Sequence, residues 1–222
     1  MLKRLLDITA SVVGLLVFFP LAIPIFITLR LVGEKRIFFR QQRVGRDGRP
    51  FNLLKFTTMM DTVATRKDGG LALDNDPEVF KFGRFLRKTK LNEIPQLVNV
   101  LTGDMSIVGP RPLTVKSFSC YSDHVRERII NVRPGLTGVG SIIFRNEEVI
   151  LRRSKLPRSV CYREEILPIK GRLECWYVAN ESFLLDLKII LLTAWVVVFR
   201  ESQLPAKWLD AALIQAQATT PS

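Results

Sequence analysis

The chain has 222 residues, 47% of them hydrophobic, which fits one compact domain with a real core. Its 33 Lys and Arg against 21 Asp and Glu leave a formal charge of +12, favouring an anionic partner: nucleic acid, a phospholipid surface or a phosphorylated substrate. Three scattered cysteines without a CxxC spacing, and the lone His124, argue against a disulfide framework and a His-rich zinc site.

The N-terminus carries Lys3 and Arg4, and then Ile8 to Leu29 runs for 22 residues without a charge, edged by Asp7 and Arg30. A straight helix of that length measures roughly 33 Å, about one hydrocarbon thickness. The run is too long for a signal peptide, and no small-residue cleavage site follows it. Pro20 and Pro24 each remove a backbone donor near its middle. Cations flank both ends, with Arg30, Lys35, Arg36 and Arg40 on the far side, and cation-rich flanks belong in the cytoplasm. A membrane helix that breaks at Phe19-Pro20 and returns to the same face satisfies both observations; a spanning helix is the alternative. Thr9 and Ser11 are candidates to cover backbone groups released at the break.

Ile37 to Phe39 and Phe51 to Phe56 flank Gly45-Arg46-Asp47-Gly48-Arg49-Pro50, which reads as a hairpin turn. Arg40, Arg43, Arg46 and Arg49 around it read as a solvated basic face, or one that meets lipid headgroups. Residues 61 to 77 are polar and read as a loop. Val79 to Leu91 reads as an amphipathic helix. Asn92 then reads as the cap of a new helix, whose free N–H groups suit a phosphate; a plain cap, with Glu93 complementing the helix dipole, is the competing reading. Arg111 lies between Pro110 and Pro112, so its backbone is restricted and its guanidinium suits bidentate phosphate binding. The glycines of Arg133-Pro134-Gly135-Leu136-Thr137-Gly138-Val139-Gly140 permit close backbone approach, to a ligand or simply within turns. No Walker A, G-x-G-x-x-G or G-x-S-x-G motif is present.

Several segments together resemble the bacterial sugar transferases of the monotopic phosphoglycosyl transferase family. They are the proline-containing N-terminal block, Lys55-Phe56-Thr57-Thr58-Met59, the long run from Leu86 to Pro112, Arg133 to Gly138, and Ser182 to Ile189. Their order covers the chain to about Val198; the central run is specific, whereas the Lys55 and Arg133 segments are weak alone. The resemblance implies a helix-rich α+β fold, with a small globular domain on a re-entrant N-terminal helix, and Mg²⁺ dependence. It divides the chain into a re-entrant helix at 1–34, a transferase domain with interfacial helices at 35–200, and a tail at 201–222. It also implies a reaction in which a carboxylate attacks the β-phosphate of a UDP-sugar, UMP leaves, and the phosphosugar passes to polyprenyl phosphate. Such chemistry surrounds a charged phosphate with cations and holds a metal on few carboxylates. Lys55, Arg87 and Arg111 are the candidate phosphate ligands and Glu93 the candidate metal ligand. Arg145 is the candidate nucleotide-side contact, or a solvated arginine.

The resemblance departs at one position. The family's acidic pair is Asp-Glu with the aspartate as nucleophile, and this chain has Asn92-Glu93; an amide lacks the anionic oxygen. The change is introduced into an active enzyme, or Glu93 or another group performs the attack, or the chain is a non-catalytic relative with a membrane binding or scaffolding role. These three readings stay open, as do the sugar, the exact lipid and assembly into a homo-oligomer. Phe183 to Phe199 is apolar but interrupted by Asp186 and Lys188, leaving too few uncharged residues to span, so an interfacial or core-packed helix is expected. Nucleic acid is the rival partner on charge alone. The basic residues are spread along the chain and no binding motif occurs, so UDP-sugar, polyprenyl phosphate and membrane lipids are the expected partners. The expected location is the bacterial inner (cytoplasmic) membrane, with the active face in the cytoplasm.

Overall fold

The computed structural model describes residues 1–32, 36–60 and 79–199. The expected loop at 61–77, the tail at 201–222 and the boundary at residues 34–35 lie outside them. Helix α1 spans Leu2–Leu31 and contains both Pro20 and Pro24. The expected interruption at Phe19-Pro20 is therefore not a gap in the helix, because each proline costs one backbone bond and its neighbours carry the rest. Thr28 Oγ1 donates to the Pro24 carbonyl at 2.8 Å. Ser11, an expected partner for freed backbone groups, is buried with its Oγ unpaired.

By length and composition α1 is apolar enough to cross a membrane. Only Asp7, Ser11, Ile25 and Leu29 along it are buried, whereas Leu16, Val17, Phe19, Leu21, Ile23 and Ile27 are exposed. Both ends are nonetheless fastened to the globular part. Lys3 Nζ donates to Tyr177 Oη at 2.7 Å and Asp186 Oδ2 at 2.8 Å, with Glu181 at 3.0 Å. Arg4 donates to the carbonyls of Val100 and Leu101 at 2.6 and 2.7 Å, and Asp7 Oδ1 accepts from Ser106 Oγ and Ile107 N, each at 2.8 Å. At the other end Ile25 and Leu29 pack with Phe56 and Leu86, and Phe26 meets Phe38 and Phe56 edge-on at 5.3 and 5.9 Å.

The expected hairpin is present: β1 (Phe38–Val44) pairs antiparallel with β2 (Pro50–Phe56), Phe38 opposite Phe56 and Val44 opposite Pro50. Its turn places Asp47 and Gly48 at φ 57° and 72°, a left-handed backbone that the Asp-Gly pair accommodates. Helix α2 covers Lys81–Lys88, shorter at both ends than the expected Val79–Leu91. The chain leaves it through Lys90 at φ 62° and makes a tight turn at Leu91–Glu93. Helix α3 (Gln96–Thr102) follows, then β3 (Ser106–Val108). Short helices α4 (Val115–Phe118) and α5 (Asp123–Ile129) lead to β4 (Gly135–Thr137), which pairs parallel with β3.

The glycines around β4 serve this pairing. A side chain at Gly135 or Gly138 would collide with the Gly109 backbone, so the close approach is of chain to chain. After α6 (Val139–Ile143), α7 (Glu147–Arg153) and α8 (Arg158–Cys161) come two longer helices, α9 (Leu167–Ala179) and α10 (Phe183–Val198). The main core joins Leu97, Val100, Met105, Val108, Leu173 and Ile189. Helix α10 is core-packed on one side, where it buries Asp186, Ile189 and Val196, and it exposes Leu184, Leu191, Trp195 and Val198. Two cysteines, Cys161 and Cys175, are buried and free, and Cys120 is exposed and free.

Candidate active site

Residues far apart in sequence meet where β2, the Leu91–Glu93 turn and the Pro110-Arg111-Pro112 segment converge. Strand β2 brings Lys55. Its register against α3 is set by the buried Asn99, whose Oδ1 accepts from Leu54 N at 3.0 Å and whose Nδ2 donates to Asn52 O at 2.9 Å. The backbone beside Lys55 is thus clamped to the helix that follows Glu93. Glu93 sits at the end of its turn with its N–H on the Lys90 carbonyl at 3.1 Å. Arg111 Nη2 donates to Glu93 Oε1 at 2.9 Å and Lys55 Nζ reaches the same oxygen at 3.3 Å. Glu93 and Lys55 are only 14% and 19% exposed, so this charge cluster is largely out of water.

The electrostatics follow from burial and proximity. Burial alone would raise the Glu93 carboxyl, but Arg111, Lys55 and Lys90 outweigh it and hold the group well below the usual carboxylate range. Burial pushes the Lys55 ammonium down to about 8, against the pull of Glu93 and with the repulsion of Arg111 and Arg43. Glu93 in turn raises Arg111.

Arg43 belongs to this cluster, which corrects its reading as part of a solvated face. In β1 it is half-buried, and its Nη1 donates to the Pro112 carbonyl at 3.2 Å and its Nη2 to Gln41. Burial and then Arg111 bring its guanidinium down to about 10. Arg40, Arg46 and Arg49 are exposed as expected. Three partly buried cations, Arg43, Lys55 and Arg111, together with the exposed Lys90, therefore act on the Glu93 carboxylate. Convergent, partly desolvated positive charge is the complement of a multiply charged anion.

A family model described as bacterial sugar transferase matches residues 1–200. The chain belongs to that family. This sugar transferase is 37% identical over 205 residues to "Uncharacterized sugar transferase EpsL" of Bacillus subtilis (strain 168), across 90% of this chain and 89% of that one. It is 34% identical over 214 residues to "Undecaprenyl-phosphate galactose phosphotransferase" of Salmonella typhimurium, across 90% of this chain and 41% of the relative. It is 36% identical over 202 residues to "UDP-glucose:undecaprenyl-phosphate glucose-1-phosphate transferase" of Escherichia coli K12, across 88% and 40%. The chain thus spans about two-fifths of the length of the two relatives named for a reaction.

In the sugar transferase the remaining expected site residues are placed as follows. Asn92 is not a helix cap: it lies inside the Leu91–Glu93 turn, and α3 begins four residues later, after Pro95. Its side chain is 8% exposed and its Oδ1 is buried without a partner. Burial beside Glu93 overrides the local capping preference of asparagine. Arg87, on α2, places Nη1 3.5 Å from the Met59 sulfur, and Arg145 is half-buried in the turn Phe144–Asn146. The Lys55–Glu93–Arg111 contacts are made without either.

Among the described residues no group of three His, Cys, Asp or Glu forms a metal cage. The hard oxygen donors at hand are Glu93 and the unpaired Oδ1 of Asn92. Behind the site lie residues that motif reading passed over. Lys170 pairs with Glu147, with its ammonium 5.2 Å from the rings of both Phe144 and Tyr162. Glu174 is buried against the Arg111 backbone. A carboxylate inside the apolar stretch Leu173-Glu174-Cys175-Trp176-Tyr177 was the available signal for it.

Proposed function

We propose that this sugar transferase moves a sugar 1-phosphate from a UDP-sugar to polyprenyl phosphate, as the first membrane step in assembling a surface polysaccharide or other glycoconjugate. The observation that carries the reading is the convergence of partly buried positive charge, with Arg43, Lys55 and Arg111 around the Glu93 carboxylate. A UDP-sugar and a lipid phosphate are both anions, and the names of the two relatives quoted above supply the same reaction class.

Arg111 and Lys55 hold the diphosphate of the donor and spread the charge that develops on its equatorial oxygens. An oxygen of the lipid phosphate forms the new bond to the β-phosphorus. The bond from that phosphorus to the bridging oxygen breaks, UMP leaves with the electron pair, and the product is a polyprenyl diphosphate sugar. We favour this direct transfer over attack by Glu93, because two cations on one carboxylate oxygen lower its nucleophilicity. Mg²⁺ fits the chemistry of the donor set: Glu93 and the orphaned, buried Oδ1 of Asn92 are hard oxygens on consecutive residues, and magnesium commonly takes few protein ligands. When bound, it neutralises phosphate oxygens. Arg87 is assigned to the charged phosphate, with Lys55 and Arg111, and Arg145 to the nucleotide side.

The membrane arrangement belongs to the same reading. Lys3 and Arg4 at one end of α1, and Ile25 and Leu29 at the other, are all fastened to one globular part. A helix crossing the bilayer would put those ends on opposite sides. The re-entrant or in-plane arrangement keeps both on the cytoplasmic face of the inner membrane, with exposed apolar residues such as Leu16, Val17 and Phe19 in lipid.

The test is UMP release from a panel of UDP-sugars in the presence of polyprenyl phosphate and Mg²⁺, using the membrane-reconstituted chain. Release with one sugar, dependent on the lipid phosphate, supports the reading. No release with any of them, from the native chain or from Asn92→Asp, overturns it in favour of a membrane-bound scaffold.

A further inference from the structure

Arg111 is the sole N–H donor in the tripeptide Pro110-Arg111-Pro112, because neither proline has one. Three polar backbone groups of the tripeptide have anchors, each from a different element. The Pro110 carbonyl accepts from Gly135 N at 2.8 Å. The Pro112 carbonyl accepts from Arg43 Nη1 at 3.2 Å. The Arg111 N–H points to Glu174 Oε1 on α9, at 3.4 Å. This third anchor is longer than an ordinary bond and is the only carboxylate among the three.

The surroundings of Glu174 are shaped for that role. It is 3% exposed, and its Oε2 is buried without a partner. Position 140 on α6 is glycine, where an added Cβ would lie 2.5 Å from Glu174 Oε1 and displace the carboxyl. A buried carboxylate aimed at one backbone N–H, with space kept for it by a glycine on another helix, costs desolvation. Its location directly behind a substrate-facing arginine gives that cost a function.

We propose that Glu174 is a positioning residue for the transfer step, fixing the Arg111 backbone so that its guanidinium meets the donor phosphate. The proposal rests on the phosphoglycosyl transfer reading of the site. Burial raises the Glu174 carboxyl to about 7, opposed by the Arg111 N–H, Lys170 and the Arg111 charge. The titratable groups around it are Arg111 from the facing segment, Lys170, Cys175 and Tyr177 on its own helix, and Tyr121 packed across Gly171. The carboxylate is the better acceptor, so kcat should rise with pH through about 7.

The experiment compares Glu174→Gln, Glu174→Leu and Gly140→Ala in the full-length, reconstituted protein. Two readouts are taken: kcat and KM for UMP release, and hydrogen exchange of the Arg111 amide, which needs no turnover. Glu174→Gln keeps an acceptor oxygen; it should retain kcat within about threefold and lose the pH 7 limb. Glu174→Leu should lower kcat about 10- to 100-fold, the range for groups that orient a functional partner, with a smaller change in KM and faster Arg111 exchange. Gly140→Ala should move both readouts in the same direction as Glu174→Leu. If the leucine variant folds and leaves both kcat and Arg111 exchange unchanged, the proposal is wrong. Equal losses in the glutamine and leucine variants would also overturn it, reducing Glu174 to a packing role. If the native chain shows no turnover while Arg111 exchange still depends on Glu174, the anchor stands and the functional reading fails instead.

Discussion

Arg111 Nη2 and Glu93 Oε1, 18 positions apart in the chain, meet at 2.9 Å, and Lys55 Nζ shares that oxygen. The pairing keeps a guanidinium and an ammonium ordered at a partly buried position where, on the proposed function, a phosphate would replace the carboxylate as their partner. Arg111→Ala should lower kcat for UMP release by about 10²–10³, the usual cost of one preorganised donor to developing charge. Arg111→Lys should recover little of this, since an ammonium is a point charge without the planar fork. Steady-state rates of the two variants check both statements, and a lysine variant of near-native rate would count against a geometric role for Arg111.

Lys55 gives the site its pH dependence. Its ammonium is lowered to about 8, so the free protein loses that charge as pH rises through this value, and kcat/KM should fall on the alkaline side. A bound diphosphate favours the protonated form, so the limb in kcat should move to higher pH. Stability should move the opposite way. Between about 8 and 10.5 the folded chain binds fewer protons at Lys55 than the unfolded chain, so this residue makes folding more favourable as pH rises. Rate and thermal-unfolding profiles over the same pH range check the divergence, and their parallel decline would contradict it.

Only the family resemblance names Lys55, Glu93 and Arg111 together; read alone, Arg111, fixed between two prolines, points to phosphate binding, and the contacts among the three are not legible in the sequence. Arg43 was misread for an instructive reason. Arg40, Arg43, Arg46 and Arg49 recur every third residue and look like one face, but alternate residues of a strand point to opposite sides. Arg43 in β1 therefore faces the other way from Arg40 and is carried toward Pro112. Asn92 was misread as a cap because local preference says nothing of burial, and Pro95 delays the helix to Gln96. Glu174 offered one local signal, a carboxylate inside an apolar stretch, but its partner lies 63 residues away and could not be read from it.

Asn99 should prove a structural residue with a catalytic consequence. It is 4% exposed and satisfies both a donor and an acceptor on the β2 backbone. Asn99→Leu removes both hydrogen bonds at once, and a typical hydrogen bond contributes about 0.5–1.5 kcal/mol. Thermal or denaturant unfolding should register that loss. The variant should also lose activity at temperatures where it remains folded, because the clamp next to Lys55 is released. Unchanged stability would mean that β2 is held in register by its hairpin partner alone.

The N-terminal anchor makes a separate prediction. Lys3 bonds Asp186, which is 1% exposed, and the Tyr177 hydroxyl. Lys3→Met leaves the buried carboxylate without its cation, and hydrogen bonds to charged groups contribute about 1.5–3 kcal/mol. Unfolding should shift by about that amount. A single cysteine placed at Leu2 should be labelled from the same side of the membrane as one on the surface of α5, since α1 returns its ends to one globular part. Labelling from opposite sides would establish a spanning helix.

Asn92 is the position at which the proposed direct transfer can be tested. Its amide is nearly isosteric with a carboxylate, it is buried, and its Oδ1 has no partner to lose, so Asn92→Asp should leave the fold intact. The new carboxylate would stand next to Glu93 in a turn surrounded by cations, where an ionised oxygen is favoured. The native chain, working by direct transfer, should release UMP only when the lipid phosphate is present and should form no covalent phosphosugar. Asn92→Asp should release one equivalent of UMP without the lipid, and intact-protein mass spectrometry should find the phosphosugar on residue 92. With lipid present its turnover should rise at least about tenfold, because one difficult displacement becomes two easier ones. A phosphosugar on the native chain, at Glu93 or elsewhere, would refute direct transfer and move the nucleophile to the residue that carries it.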